Sequence, residues 1–332
     1  MSHDLDDTTG KPAMAYVGEE PWHGLGEKLP PGQSIDTWLE AARLNWRIQT
    51  LPVHYQFQGR DRIMPDRFVL ARDDTGAALS IVSADYQVVQ PSEVLEFYRD
   101  LVEERGYTLE TAGALDGGRK VWALANTGMV RDVADNPADS LGAYVLLATS
   151  CDKSLATTAT FTSIRVVCQN TLGFAFKDMK GQNRRSMKVD HTKKFDANSI
   201  KEQLGLIDTA WDHFLHQIKP LTEYQLKNQS AKKFFESLFL TDKEMHEGKL
   251  PANTRHKEIN QIESLFLSAP GQNGATSHET LWGAVNAVTY YIDHVRSTKS
   301  IERMDSAWFG SGASLKEKAW DRAMELIAAA HQ

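Results

Sequence analysis

The chain has 332 residues, 41% hydrophobic and 24% charged, with 44 acidic residues against 37 basic ones for a formal net charge of −7. This is the composition of a folded globular protein long enough for two domains or one large mixed one, and it excludes a disordered or collagen-like chain. No run approaches the roughly 18 to 20 apolar residues of a membrane span, and two cysteines, Cys151 and Cys168, without C-x-x-C spacing exclude a disulfide scaffold and a cysteine-rich zinc site.

The first residues, Met1 to Asp7, are acidic and polar where a secretory signal would be basic and then apolar, so a cytoplasmic location is expected. Residues 1–40 hold eight acids and only Lys11 and Lys28, which suggests an acidic N-terminal arm and loop over 1–30 able to attract basic segments of the chain. Pro21 to Gly26 is a turn-rich loop. Ser34 to Ala42 has the cap and apolar spacing of a short helix. Strands are expected at Trp46 to Phe57, Phe68 to Arg72 and Ile81 to Val82, broken by Gly59, Pro65 and the Asp74-Thr75-Gly76 turn.

Pro91 to Val102 reads as one amphipathic helix, with Pro91 in its first turn. Tyr107 to Ala112 and Lys120 to Ala125 flank a hairpin-type turn at Asp116-Gly117-Gly118. Tyr144 to Ser150 and Thr157 to Val167 are two further strands around the polar turn Cys151 to Ser154. From about Ser199 the apolar period becomes helical, over Ile200 to Ile218, Thr222 to Leu240, Arg255 to Leu267, Ser277 to Val295 and Ser314 to Ala330, separated at Pro220, Gly248 and Pro251, and Pro270 to Gly274. The fold class expected is α+β: an N-terminal antiparallel-sheet-rich core with a packed helix, then a mostly helical C-terminal half. The corresponding divisions are 1–30, 31–195 and 196–332.

The strongest functional signal is a basic ribbon over 177–194. It carries Lys177, Lys180, Arg184, Arg185, Lys188, Lys193 and Lys194 against Asp178 and Asp190, opposite in sign to the whole chain. A cationic ribbon beside a sheet points to a nucleic-acid backbone, since each neutralised phosphate releases counterions. Its alternative is a solvated loop that only keeps the protein soluble. Phe176, next to Lys177, is the best-placed ring for stacking a base, with core packing as the other reading.

Arg165 and Asn170 bracket the apolar run Val166 to Cys168. They serve either as a phosphate grip or as a structural arginine paired with a carboxylate and an asparagine capping the segment after the strand. His213 and His216 share a helix face without an H-E-x-x-H pattern or a third ligand, so no metal site is expected. Gly310 to Lys316 lacks phosphate-loop spacing and reads as a turn with Ser314 as N-cap, or as an anion cradle. No catalytic residue and no cofactor is assigned.

Three blocks, Trp22-His23-Gly24-Leu25-Gly26, Arg165 to Leu172 and Ser306-Ala307-Trp308-Phe309-Gly310-Ser311-Gly312, together resemble a domain-of-unknown-function family of phage/plasmid-like proteins. The resemblance implies a protein of prophages, plasmids and mobile elements, with an analogy at the level of fold to phage single-strand annealing proteins. The expected function is therefore single-stranded-nucleic-acid binding, in DNA annealing or recombination, by a homo-oligomer with single-stranded DNA as partner and no membrane. Two alternatives stand beside it: an enzyme acting on nucleic acid or nucleotides through an Arg165 and Asn170 phosphate site, and an interaction protein that counteracts a host defence factor.

Overall fold

Two kinds of apolar periodicity, alternate residues first and every third or fourth residue later, separate the chain into a sheet-rich N-terminal half and a mostly helical C-terminal half. The computed structural model of the protein describes residues 5–21, 24–165, 170–173, 176–177, 183–204, 207–227, 229–241, 243–244, 247, 249, 253–296 and 303–330. The strands are β1 (Met14–Tyr16), β2 (Glu27–Lys28), β3 (Ile48–Phe57), β4 (Arg60–Arg72), β5 (Ala78–Ser83), β6 (Thr108–Leu115), β7 (Lys120–Val133), β8 (Asn136–Ser150), β9 (Thr157–Arg165), β10 (Asn170–Gly173), β11 (Phe176–Lys177), β12 (Asn183–Arg184) and β13 (Met187–Val189). The helices are α1 (Ile35–Ala41), α2 (Pro91–Glu96), α3 (Arg99–Arg105), α4 (Ala197–Leu204), α5 (Ile207–Glu223), α6 (Gln229–Ser237), α7 (Asn253–Ser268), α8 (Leu281–Tyr290), α9 (Arg303–Trp308) and α10 (Ser311–Ala330). The fold is α+β, as expected.

The chain forms two compact units, each drawn from separate segments. The first comprises Met1–Gly128, Tyr144–Phe161 and Lys177–Leu206; the second comprises Met129–Ala143, Thr162–Phe176 and Ile207–Gln332.

In the first unit the strand order is β9-β8-β7-β6-β1-β2, and β13 adds to β9. The N-terminal segment is therefore part of the sheet: β1 lies between β6 and β2, antiparallel to one and parallel to the other. Gly113 makes room for it, since a Cβ there would come 2.4 Å from the carbonyl oxygen of Ala13. The Ser34 hydroxyl caps α1 by accepting from the Thr37 amide at 3.2 Å.

The helix expected over Pro91 to Val102 is instead two, α2 and α3, with a turn at Phe97-Tyr98. The turn sends Tyr98 into the core, where its hydroxyl lies 2.9 Å from the Ala123 carbonyl and 3.0 Å from that of Val145. Burial holds the phenol well above its usual pKa.

β3, β4 and β5 form a second sheet of this unit, rooted on Trp46, Ile48, Leu70, Leu79, Val82 and Cys151. Beyond that root β3 and β4 continue as a two-stranded arm exposed on both faces. β4 runs through Pro65, which the sequence marks as a break. The ladder shifts register between the Pro52 and His54 pairings, and a bulge tolerates a residue with no amide to donate.

The second unit is organised by α8, whose residues from Leu281 to Thr289 are all buried. A helix apolar around its whole circumference has to be enclosed, and α5, α7, α10 and β10 pack against it. α5 presents Trp211, Phe214, Ile218 and Leu221, with the Phe214 ring 5.1 Å from that of Trp320 on α10. Pro220, expected to separate helices, lies inside α5 near its end. α10 begins at Ser311, so Ser314 is within the helix and does not cap it. The Ser306 hydroxyl accepts from the Gly312 amide at 3.3 Å, which satisfies one of the first-turn donors in its place.

Glu110 on β6 is half-buried in the first unit, where burial raises its carboxyl above the usual range and hydrogen bonding to Tyr144 and Asn126 only partly offsets this. Because the folded value lies above the unfolded one, wild-type stability is fullest below the ordinary value of 4.5 and declines as pH rises through the raised value. Glu110→Gln should therefore raise the thermal midpoint at pH 7, with the gain shrinking toward pH 4; thermal denaturation of both proteins across that range measures it.

Candidate nucleic-acid interface

The basic ribbon rests on an ordered base in the first unit. β13 pairs antiparallel with the threonine-rich start of β9, setting Met187 against Ala159, Lys188 against Thr158 and Val189 against Thr157. Alternation then buries Met187 and turns Lys188 to solvent. Past the strand, His191 stacks on Tyr86 at 4.7 Å, and its Nε2 donates to the Leu155 carbonyl at 3.0 Å. The His191 carbonyl accepts from the Gln87 amide, and the Lys193 amide closes a turn onto Asp190 at 2.9 Å. Phe195 ends the segment against Phe97, with ring centroids 6.3 Å apart.

These contacts anchor the polar stretch while leaving its cations outward. Arg184, Lys188, Lys193 and Lys194 are exposed, and Arg185 is half-buried. Asp190 is exposed too. Two-residue strands β11 and β12 pair with each other upstream. Lys180 and the side chains of Phe176 and Lys177 lie outside the described residues.

Arg165 and Asn170 belong to the second unit. They stand directly opposite each other where β9 pairs with β10. Both are buried, at 2% and 3% exposure. The Arg165 guanidinium donates from Nε to Asp139 Oδ1 at 2.6 Å and from Nη2 to Asp139 Oδ2 at 2.7 Å, a bidentate pair. Nη2 also reaches the Ser277 hydroxyl at 2.7 Å and the Gly271 carbonyl at 3.2 Å, and Thr276 donates to the same carboxylate. The arginine proposed to grip phosphate is thus occupied by a carboxylate of its own unit.

Asn170 donates from Nδ2 to the Asn286 carbonyl at 3.0 Å, tying β10 to α8. Beside it the Thr171 amide donates to Asp293 at 2.8 Å, and the Lys316 ammonium donates to Thr171 Oγ1 at 2.8 Å and to Asp293. Lys316, the end of the supposed anion loop, is therefore a buried partner of Asp293 at 4% exposure.

Sequence reading missed Asp139, Ser277 and Asn286. Their partners lie more than a hundred positions away or on another strand, and no local spacing marks them. His213 and His216 are exposed on α5, and among the described residues no group of three or more histidine, cysteine, aspartate or glutamate side chains is placed to hold a metal. Cys151 is buried, which pushes its thiol up to about 12 and leaves it a poor nucleophile. Among the described residues no helix is long and apolar enough to cross a membrane.

A family model described as a domain of unknown function (DUF932) matches residues 78–308. That span takes in the basic ribbon, Arg165 with Asp139, and the buried helix α8. No curated protein and no solved structure matches the chain.

Removing one member of a buried ion pair leaves the other uncompensated, at a cost of about 3–5 kcal/mol. Asp139→Ala should lose that much stability in urea denaturation. Asp139→Leu combined with Arg165→Met should recover most of the loss, because neither member of this pair then leaves a charge buried.

Proposed function

The chain belongs to the DUF932 family, whose description names no activity, and on this premise we propose that it binds single-stranded nucleic acid through its basic ribbon. The observation that carries the reading is the exposure of Lys188, Lys193 and Lys194 on a segment anchored by β13, His191 and Phe195. An anchored row of ammonium groups loses less freedom on meeting phosphates than a loose tail does. Its sign also opposes the formal −7 of the chain, so polyanions are attracted to one place and repelled elsewhere.

In this reading the ribbon holds the phosphates and leaves the bases open to pair, which is what annealing or recombination of DNA needs. An origin in phages, plasmids and other mobile elements, a cytoplasmic location and a homo-oligomeric state belong to the same proposal. Motif resemblance supports the first, and two cysteines without C-x-x-C spacing, which fit a reducing compartment, support the second. For the third, a strand longer than one ribbon would engage several copies.

The test is a titration of labelled oligothymidylate and of a duplex of equal length at several salt concentrations. The wild-type protein should prefer the single strand, with affinity falling steeply with salt. Reversing the charges of Lys188, Lys193 and Lys194 to glutamate should weaken binding at least about tenfold and flatten the logarithmic salt slope by about 2, near 0.7 for each phosphate no longer neutralised. A wild-type protein with no salt-dependent affinity for either strand would reject the proposal.

A further inference from the structure

We infer that one face of the β3–β4 arm is a base-stacking site for single-stranded nucleic acid, distinct in its residues from the basic ribbon. The inference shares the ligand class of the proposed function and rests on that reading for it.

The arm turns at Gln58-Gly59, both in the left-handed region at φ 50° and 73°, as a two-residue hairpin loop requires. The register sets Tyr55 opposite Arg62 and Phe57 opposite Arg60. Residues opposite each other, and residues two apart on one strand, share a face. Tyr55, Phe57, Arg60 and Arg62 therefore occupy the same side. His54, Gln56, Asp61 and Ile63 occupy the other, where Asp61 is engaged by His54 at 2.7 Å and by Gln56 at 3.1 Å.

Between the tip and the bulge, the first face thus carries two rings and two guanidinium groups and no carboxylate. Tyr55 is 46% exposed and Phe57 51%, an unusual state for rings with no core to join. Arg62 sits 5.5 Å from the centre of the Phe57 ring, a cation–π contact that holds both in place before any ligand arrives. Rings and arginines interleaved in this way match the two parts of a nucleotide, the base and its phosphate.

Spacing selects the single strand. Rings two residues apart on a strand stand about 7 Å from each other, whereas stacked bases of a duplex are spaced about 3.4 Å. Bases resting on both rings must be separated from one another, which an intact helix does not allow. A second copy of the chain is the competing occupant, since an exposed apolar ribbon invites strand pairing. Pro52 and Pro65 have no amide to offer a further strand, and the register shift between the Pro52 and His54 pairings distorts the ladder, both of which oppose such pairing.

The experiment uses the full chain and an oligothymidylate carrying 5-bromodeoxyuridine, cross-linked by ultraviolet light and mapped by mass spectrometry. Binding is measured in parallel for Tyr55→Ala with Phe57→Ala, for Arg60→Ala with Arg62→Ala, and for the charge-reversed ribbon. Thermal melting confirms folding, which exposed positions should leave unchanged. Cross-links at Tyr55 or Phe57, with affinity weakened at least about tenfold in the aromatic variant and a salt slope shallower by about 1.4 in the arginine variant, are the result expected.

Wild-type affinity in both arm variants, while the ribbon variant binds weakly, would overturn this inference and leave the proposed function standing. No oligonucleotide binding by the wild type would overturn both. If the aromatic variant keeps its affinity but changes from dimer to monomer in sedimentation, the occupant is a second copy and the inference fails.

Discussion

Arg72 stands at the root of the β3–β4 arm with 1% exposure, and a guanidinium so far from water has to be paired on the spot. Asp74, within the following turn, takes Nε at 2.9 Å and Nη2 at 2.8 Å. Hydrogen bonding to Arg72 in turn holds the Asp74 carboxyl below its usual range. Asp6, sixty-six positions earlier and 3% exposed, takes Nη1. The Trp46 ring covers the cation at 4.1 Å from its centre. One side chain thereby ties the N-terminal segment, the end of β4, the turn before β5 and the wall of the small apolar core to a single point. The acids of the N-terminal stretch have a structural task as well: Asp6 neutralises a buried arginine of its own unit.

The second unit repeats the device with other residues. Arg165 at the end of β9 is paired with Asp139 on β8, and hydroxyls from the segment before α8 complete the shell. Asn170, Thr171, Asp293 and Lys316 extend the polar layer along β10 to α8 and α10. An apolar helix such as α8 can slide against apolar neighbours at little cost. Directional bonds to its carbonyl and side-chain groups specify one position for it.

What remains for recognition is what these buried networks leave outside. The first unit keeps its lysines at Lys188, Lys193 and Lys194 on an anchored stretch, and its arm keeps rings and arginines in water. Each arrangement carries a cost of its own. Ammonium groups crowd like charge, and exposed rings forgo burial. On the proposed reading both would be relieved by the same kind of ligand, one that brings phosphates and flat bases together.

Local pattern was enough to determine the α+β class, the cap of α1, the turn at Asp116 to Gly118 and the concentration of cations over 177–194, because each depends on neighbours in the chain. The strands also announced themselves, though their lengths did not: β4 passes Pro65 and β8 starts at Asn136, since pairing partners decide how far a ladder runs. Only the tertiary structure decided that Pro91 to Val102 breaks so that Tyr98 can reach two carbonyls, and that Lys316 is buried against Asp293 and not free at a loop. It likewise determined that Arg165 meets Asp139. A charge in a sequence carries no label for its partner, and burial, which makes pairing compulsory, is settled by residues far along the chain.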